Sequence, residues 1–226
     1  TGTPKGIVHS RAMRWRQAAV GERTGYGADH AVAMVATPLY SNTTLGLVIP
    51  SLAYGATLHM MRKFDVKGYL DRASTHRVTH TMLVPVQYHR LLAHEAFDRH
   101  DLSRFKYKFC TSAPMPTERK AEVLRRWPGG LVEFYGMTEG GVVVILNAHE
   151  YPDELHTVGQ AASGCVVKVI DEHGQELPPG TKGEVVGHSR GMMNGYHRQP
   201  EKTQEAEWFD EAGVRYIRTG DIGQLD

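Results

Sequence analysis

The residues with the clearest chemical capacity stand together in Glu133-Phe134-Tyr135-Gly136-Met137-Thr138-Glu139-Gly140-Gly141, directly after an apolar run that predicts a β-strand. An aromatic ring can stack on a nucleobase, and a hydroxyl beside a carboxylate can hold a cation that is bound to a phosphate. Alone, this pattern is equally compatible with an ordinary strand that ends in a turn.

Two further segments carry groups that suit a nucleotide. Thr1-Gly2-Thr3-Pro4-Lys5-Gly6 is a loop whose backbone N–H groups and hydroxyls can close on phosphate oxygens while the lysine neutralises charge. Chance glycines at a terminus explain this loop equally well, and the Gly-Lys-Ser/Thr order of a Walker A loop is absent. Tyr216-Ile217-Arg218-Thr219-Gly220-Asp221 places an aspartate in a predicted tight turn, where it can accept hydrogen bonds from a cis-diol. For that triplet alone, a surface turn is the simpler explanation.

The apolar pattern predicts the elements that position these groups. Strands are predicted at 31–37, 55–60, 78–84, 105–110 and 131–135. Helices are predicted to begin near Ser10, Thr44, Asp65, Pro85 and Thr117, and the first of them is predicted to end at Gly21. This alternation favours crossover units on a largely parallel sheet.

After about residue 155 the pattern changes to short β-rich runs separated by turns such as Pro178-Pro179-Gly180. This punctuation is typical of an antiparallel sheet or barrel. We therefore predict an α/β subdomain over residues 1–155 and a smaller, barrel-like β subdomain over residues 156–226.

Composition excludes several classes of protein. Lys and Arg number 26 against 25 Asp and Glu, so there is no basic excess of the kind that nucleic-acid-binding domains show. Two distant cysteines, Cys110 and Cys165, exclude a disulfide framework and fit a reducing compartment. The apolar stretches are too short to span a bilayer, and no signal-peptide pattern is present. We predict a cytoplasmic protein without a nucleic-acid partner or a transmembrane segment.

In this order and at these separations, the three segments resemble the motifs of the adenylate-forming (AMP-binding) superfamily, which includes acyl-CoA synthetases, firefly luciferase and the adenylation domains of nonribosomal peptide synthetases. Tyr135–Glu139 matches the family's Tyr-Gly-x-Thr-Glu, and Thr219–Asp221 matches its Thr-Gly-Asp. The chain begins inside the family's phosphate loop, Ser/Thr-Gly-Thr-Thr-Gly-x-Pro-Lys-Gly. Further segments also resemble family motifs: Thr111–Pro114, where Ser112 replaces a usual glycine, Gly183–Val185, Met193–Tyr196 and Pro200–Thr203.

The resemblance implies an ATP site in the large N-terminal domain of an acyl-CoA synthetase. The implied nucleotide-binding residues are Thr1, Gly2, Thr3, Ala113, Tyr135, Gly136, Met137, Thr138 and Asp221. Tyr135 would stack on adenine opposite Ala113, and Asp221 would bind the ribose hydroxyls.

The resemblance also implies three catalytic residues. Lys5 would contact the phosphates of ATP, Thr138 would touch the α-phosphate, and Glu139 would hold Mg²⁺. Attack of a carboxylate on the α-phosphorus would give an acyl-adenylate and pyrophosphate, and the thiol of coenzyme A would then capture the acyl group. Such chemistry needs aligned oxygens and neutralised charge rather than a protein nucleophile.

The resemblance further implies that the acyl group lies beside Tyr135–Glu139. Two glycines there would leave room for an apolar chain, so an acyl pocket is predicted at Met137, Gly140 and Gly141. A packed β-strand explains the valines that follow equally well. Amino-acid-activating members of the family carry an aspartate for the substrate amine, and no aspartate stands near Tyr135–Glu139. This disfavours an amino acid as the substrate.

We therefore predict an AMP-forming acid–CoA ligase that uses ATP, Mg²⁺ and coenzyme A on a fatty or other apolar carboxylic acid, with a place in fatty acid and lipid metabolism. Two alternatives stay open: an amino-acid adenylation domain of a peptide synthetase, and a non-catalytic interaction module on the same fold. We expect the chain to be the AMP-binding fragment of a longer protein, without the hinge and C-terminal domain, and inactive or nearly so alone. We also expect it to self-associate through apolar surface that the truncation exposes.

Overall fold

A computed structural model of the protein describes residues 5–27 and 30–226. The chain forms two compact units that are discontinuous in sequence. The larger unit comprises Arg16–Phe134 and Ile145–Gly159, and the smaller unit comprises Thr1–Trp15, Tyr135–Val144 and Gln160–Asp226. The chain leaves the larger unit for the last time at Gly159, close to the domain boundary predicted near residue 155. That domain division stays a prediction.

The elements follow one another along the chain with short connections. The helices are α1 Arg11–Arg23, α2 Asn42–Ala53, α3 Val66–Thr75, α4 Pro85–Leu92, α5 Thr117–Arg126 and α6 Pro200–Glu205. The strands are β1 Ile7–Val8, β2 Val32–Val35, β3 Thr57–Met60, β4 His80–Leu83, β5 Tyr107–Cys110, β6 Gly130–Gly136, β7 Val143–Asn147, β8 Gln160–Ala161, β9 Cys165–Ile170, β10 Gly183–Ser189, β11 Gly195–Tyr196, β12 Glu207–Phe209 and β13 Arg215–Gly223.

A mostly parallel sheet contains the strands of the larger unit. The sheet has seven strands in the order β3-β2-β4-β5-β6-β7-β8, and the pairings from β3 through β2, β4 and β5 to β6 are parallel. All four residues of β4 are buried, because a central parallel strand is covered on both faces. The predicted α/β class with crossover helices is confirmed.

The core of the larger unit centres on Trp127, which is fully buried. The ring of Phe105 meets it edge-on at a centroid distance of 5.0 Å, and Phe97 does the same at 5.5 Å. Edge-to-face pairs of this kind add to the hydrophobic gain from burying large rings. The indole of Trp127 therefore packs the end of α5 against the segments that contain Phe97 and Phe105.

The prediction that α1 ends at Gly21 is wrong, because the helix continues to Arg23. A Cβ atom at Gly21 would lie 2.8 Å from the ring of Tyr54. The glycine is therefore explained by close packing of an aromatic ring on the helix, a reason that a sequence pattern cannot distinguish from a C-cap.

Ser112, which stands where the family usually has glycine, adopts the left-handed conformation with φ +79°. This conformation costs a residue with a Cβ atom roughly 1–2 kcal/mol. Its hydroxyl lies 2.6 Å from that of Thr43, within hydrogen-bond distance.

The smaller unit is antiparallel, as predicted. Its main sheet has the strand order β12-β13-β10-β9, and a separate two-stranded ladder joins β1 to β11. Small apolar clusters stabilise these sheets, one of them formed around Met193, Tyr196 and Ile217. No helix in residues 5–27 or 30–226 has the length and apolar character needed to cross a membrane.

Candidate active site

The central motif begins at the end of β6 and continues into a tight turn of the smaller unit. Gly140 N donates to the carbonyl of Met137 (3.0 Å), which closes the turn. Gly140 has φ +77°, and a Cβ atom there would lie only 2.1 Å from the carbonyl oxygen of Gly191. Both the turn conformation and the close approach of backbone therefore require glycine at this position.

Ser189 fixes the same turn from β10. Its Oγ donates to the carbonyl of Gly140 (2.5 Å) and accepts from the backbone N–H of Gly191 (3.0 Å). The side chain is buried, so each of these polar groups has a partner where water is excluded.

Asp221 lies in a bulge inside β13. The prediction that it lies in a tight turn is therefore wrong. Glu184 of β10 pairs with Ile222 of β13. Two residues further along β10, Val186 pairs with Arg218. Residues 219–221 of β13 therefore stand opposite the single residue Val185 of β10. Extra residues of this kind re-aim side chains without ending the strand.

Local hydrogen bonds hold the bulge in place. Thr219 Oγ1 donates to the carbonyl of Val185 (2.7 Å) and accepts from the N–H of Asp221 (3.0 Å). The N–H of Gly220 donates to a carboxylate oxygen of Glu184 (3.1 Å). The backbone that presents the Asp221 carboxylate is therefore anchored to β10 on both sides of the glycine.

Tyr135 and Asp221 meet across this unit although 86 residues separate them. Tyr135 Oη donates to Asp221 Oδ2 at 3.0 Å. Burial raises the pKa of Tyr135 to about 12, and the nearby carboxylate of Asp221 adds to the rise, so the phenol stays a donor at neutral pH. The structure thus brings together the ring predicted to stack on adenine and the carboxylate predicted to bind ribose.

Tyr196 joins two of the three predicted catalytic residues. Lys5 Nζ donates to Tyr196 Oη (3.1 Å), and this hydroxyl donates to Glu139 Oε1 (2.6 Å). The Lys5 ammonium also lies 4.4 Å from the centre of the Tyr196 ring. The hydrogen bond to Tyr196 raises the pKa of Lys5, and burial together with the Glu139 hydrogen bond raises the pKa of Tyr196.

Glu139 fits the predicted magnesium site in its chemistry. Mg²⁺ prefers oxygen ligands, and it usually takes one or two carboxylates together with water and phosphate oxygens. No cluster of three His, Cys, Asp or Glu side chains suited to a metal ion occurs in the described part of the chain. A magnesium ion at Glu139 would therefore depend on a nucleotide for its other ligands.

The three residues of the predicted acyl pocket have packing roles within the smaller unit. Met137 packs against the cluster that contains Met193 and Ile217. A Cβ atom at Gly141 would lie 2.6 Å from Cβ of Ile217. Close packing already explains both glycines, and the acyl-pocket role stays a prediction.

The other predicted site residues are distributed as follows. Thr138 and Gly136 flank Met137 in the smaller unit, Ala113 is an exposed residue of the larger unit, and Thr1, Gly2 and Thr3 lie outside the described residues. Sequence reasoning missed Tyr196 and Ser189 as site residues. The Gly-Tyr motif that contains Tyr196 was the available signal, but the motif alone assigns the tyrosine no partner.

The fold and the order of the motifs together indicate the adenylate-forming class. Residues 1–197 match the family described as AMP-binding enzyme, and the chain belongs to that family. The resemblance inferred from the motifs is confirmed.

Curated relatives match along the whole chain. Feruloyl-CoA synthase from Amycolatopsis sp is 32% identical, and the alignment covers 100% of this chain and 45% of that protein. 4-Coumarate–CoA ligase 1 from Oryza sativa subsp. japonica is 31% identical, with coverage of 100% and 41%. The chain thus spans less than half the length of these relatives.

Among solved structures, the amide bond synthetase McbA from Marinactinospora thermotolerans superposes with a TM-score of 0.86 at 30% sequence identity. This match covers 100% of the present chain and 46% of that chain. The architecture of an adenylate-forming N-terminal domain is thereby confirmed for the full length of the sequence.

Proposed function

We propose that the protein supplies the nucleotide-binding part of an enzyme that activates a carboxylic acid with ATP. A carboxylate oxygen of the acid attacks the α-phosphorus, the α–β phosphoanhydride bond breaks, and pyrophosphate leaves with its electron pair. The observation that carries this proposal is the meeting of Tyr135 with Asp221 in the same unit as the Lys5–Tyr196–Glu139 chain. These groups suit adenine, ribose and the magnesium-bound phosphates of a single nucleotide.

Each side chain has a defined task in this scheme. Tyr135 stacks on adenine, and Asp221 accepts hydrogen bonds from the ribose hydroxyls. Lys5 offsets negative charge on the phosphates, Glu139 holds Mg²⁺, and Thr138 donates to the α-phosphate. Magnesium supplies charge neutralisation at the phosphates when it is bound. Neutralised charge and fixed geometry are the main requirements of phosphoryl-type transfer.

We propose an aromatic carboxylic acid as the substrate class. Feruloyl-CoA synthase and 4-coumarate–CoA ligase are named for acids that carry an aromatic ring. The expectation of a fatty acid, and with it of a place in lipid metabolism, finds no support in these relatives. The absence of an aspartate beside Tyr135–Glu139 continues to disfavour an amino acid.

Two acceptors for the acyl group are proposed, the thiol of coenzyme A and an amine. With coenzyme A, the thiol sulfur attacks the acyl carbon, AMP leaves, and the thiol proton passes to solvent. The curated relatives are CoA ligases, and this favours the thiol. The similarity to an amide bond synthetase makes an amine acceptor the second candidate, in which nitrogen attacks the same carbon.

Nucleotide binding tests the core of the proposal. Isothermal titration of the 226-residue chain with AMP and with 2′,3′-dideoxy-AMP measures how much affinity depends on the ribose hydroxyls. The Asp221→Asn substitution should weaken AMP about tenfold or more and should leave dideoxy-AMP nearly unchanged, because only AMP offers the hydroxyls. The control Asp153→Asn alters an exposed carboxylate of the larger unit and should change neither. Equal losses for both nucleotides in Asp221→Asn would contradict the assigned role.

Turnover tests the substrate and the acceptor. ATP–pyrophosphate exchange is measured with 4-coumarate, ferulate and octanoate, and product formation is then compared with coenzyme A and with a small amine. We expect the aromatic acids to support exchange in the enzyme that contains this chain, and we expect the 226-residue chain alone to show little. Self-association and a cytoplasmic location stay predictions, and light scattering tests the first of them.

A further inference from the structure

A short segment around β11 is hydrogen-bonded to the chain beside Lys5 and to the turn at Glu139, the two places proposed to bind the phosphates and Mg²⁺. The backbone N–H of His197 donates to the carbonyl of Gly6 (2.6 Å), and that of Asn194 donates to Val8 (2.8 Å). On its other side, the N–H of Met193 donates to the carbonyl of Glu139 (2.7 Å). The segment therefore fixes the residue after Lys5 and the backbone of the predicted magnesium ligand in one frame.

Tyr196 is mounted rigidly on this segment. It pairs with Ile7 in the β1–β11 ladder, and its N–H donates to Thr203 Oγ1 of α6 (2.9 Å). Its side chain is only 7% exposed and packs beside Met193 and Ile217. A tyrosine held by backbone pairing and by packing has little freedom to move its hydroxyl.

That hydroxyl stands between two opposite charges. It accepts from the Lys5 ammonium and donates to the Glu139 carboxylate, and Lys5 and Glu139 form no direct ion pair in the described part of the chain. A direct pair would neutralise both groups and would compete with phosphate and Mg²⁺ for them. The phenol keeps the ammonium and the carboxylate apart. It bonds to each of them by a charge-assisted hydrogen bond, which is stronger than a bond between neutral groups.

We propose that Tyr196 is a positioning residue for Mg²⁺·ATP, one that spaces Lys5 from Glu139 so that the ammonium can bind phosphate while the carboxylate binds the metal. The inference rests on the proposed function, because it takes the ligands of these two groups from it. It goes beyond that function in assigning a task to a residue outside the Tyr-Gly-x-Thr-Glu, phosphate-loop and Thr-Gly-Asp motifs.

The test separates the hydroxyl from the ring. Tyr196→Phe removes Oη and keeps the packing of the ring on Met193 and Ile217. Tyr216→Phe is the matched control, since Tyr216 is equally buried in the same unit and its hydroxyl lies beside Lys168 and Asp210. Wild type and both variants are titrated with AMP without metal, and with α,β-methylene-ATP in the presence and absence of Mg²⁺.

We expect Tyr196→Phe to bind AMP within about twofold of wild type and Mg²⁺·α,β-methylene-ATP about 10- to 100-fold more weakly, the range for losing hydrogen bonds to charged groups. The gain in affinity that Mg²⁺ gives to the wild type should largely disappear. Tyr216→Phe should match wild type with every ligand. In a Glu139→Gln background, removal of the Tyr196 hydroxyl should have a much smaller effect, since the two residues act on one interaction.

The outcomes are distinguishable. Unchanged binding of Mg²⁺·α,β-methylene-ATP by Tyr196→Phe overturns the inference, and so does an equal loss for AMP, which would show that the hydroxyl merely stabilises the fold of the site. A wild-type chain that binds neither nucleotide overturns the proposed function itself. Additive effects of Tyr196→Phe and Glu139→Gln also overturn the inference, because they place the two side chains in separate interactions.

Discussion

Lys120 and Glu133 form an ion pair in the interior of the larger unit. The distance from Lys120 Nζ to Glu133 Oε2 is 2.5 Å, and the two side chains are 3% and 4% exposed. The ammonium directs a hydrogen bond to the carbonyl of Thr157 (2.8 Å), and Glu133 Oε1 accepts from the N–H of Met115 (3.3 Å). The pair thus links β6 to the turn that follows Ala113.

Removal of one partner should be far more costly than removal of both charges. Lys120→Met leaves the Glu133 carboxylate buried without a cation, and breaking a buried pair in this way costs about 3–5 kcal/mol. Glu133→Gln leaves the ammonium of Lys120 buried without an anion and should cost a similar amount. The double variant Lys120→Met/Glu133→Gln removes both charges, while the amide oxygen keeps an acceptor for Met115. We expect its free energy of unfolding to lie within about 2 kcal/mol of wild type.

Equilibrium urea unfolding checks these values, followed by tryptophan fluorescence, to which the buried Trp127 of the larger unit contributes. The matched control is Lys67→Met, which breaks an exposed pair with Asp71 at a similar distance of 2.7 Å. Exposed pairs contribute little to stability, so this variant should unfold close to wild type. A loss below about 1 kcal/mol for Lys120→Met, or a double variant no more stable than the worse single one, would refute the reasoning.

Substitutions at three further positions have defined outcomes. Ser112→Gly should raise the free energy of unfolding by about 0.5–1 kcal/mol by relieving the left-handed strain, whereas Ser112→Ala should not. Gly140→Ala should destabilise the smaller unit by more than about 2 kcal/mol in urea, because its methyl group would meet the carbonyl of Gly191. Burial lowers the pKa of His80 to about 4, below its ordinary 6.5, so the unfolded chain binds the proton more readily. Stability should therefore fall by about 3 kcal/mol as the pH drops from about 6.5 to about 4, and His80→Gln should remove most of this slope in urea midpoints measured against pH.

Much of the fold could be predicted because each element carries its own local signal. The buried strand β4 lies within the predicted strand 78–84, and Pro85, two residues after β4 ends, marks the start of α4. Asp65 caps α3 by accepting from the N–H of Gly68 (2.6 Å), as its position before an apolar helix predicts. Motif order then identified the family, because ordered segments along one chain are improbable by chance.

The remaining features depend on partners that are distant in sequence. The bulge at Asp221 exists only relative to β10, so the residues of β13 alone predict a turn. Tyr196 acquires its place from contacts with residues 57 and 191 positions away, and no local pattern encodes them. Gly140 and Gly141 illustrate the same limit, because the backbone that approaches them, at Gly191 and Gly187, is about 50 residues away in sequence.

The assembly of the smaller unit from three separate stretches of chain has a consequence for folding. The hydrogen bond from Lys5 to Tyr196 closes a loop of 191 residues, and the one from Tyr135 to Asp221 closes a loop of 86. Loop closure of this length must be completed before such contacts yield any stabilisation, and proteins dominated by distant contacts fold slowly. The hydrogen bonds that bring the proposed nucleotide-binding residues together therefore carry a larger loop-closure cost than contacts between elements that are neighbours in sequence.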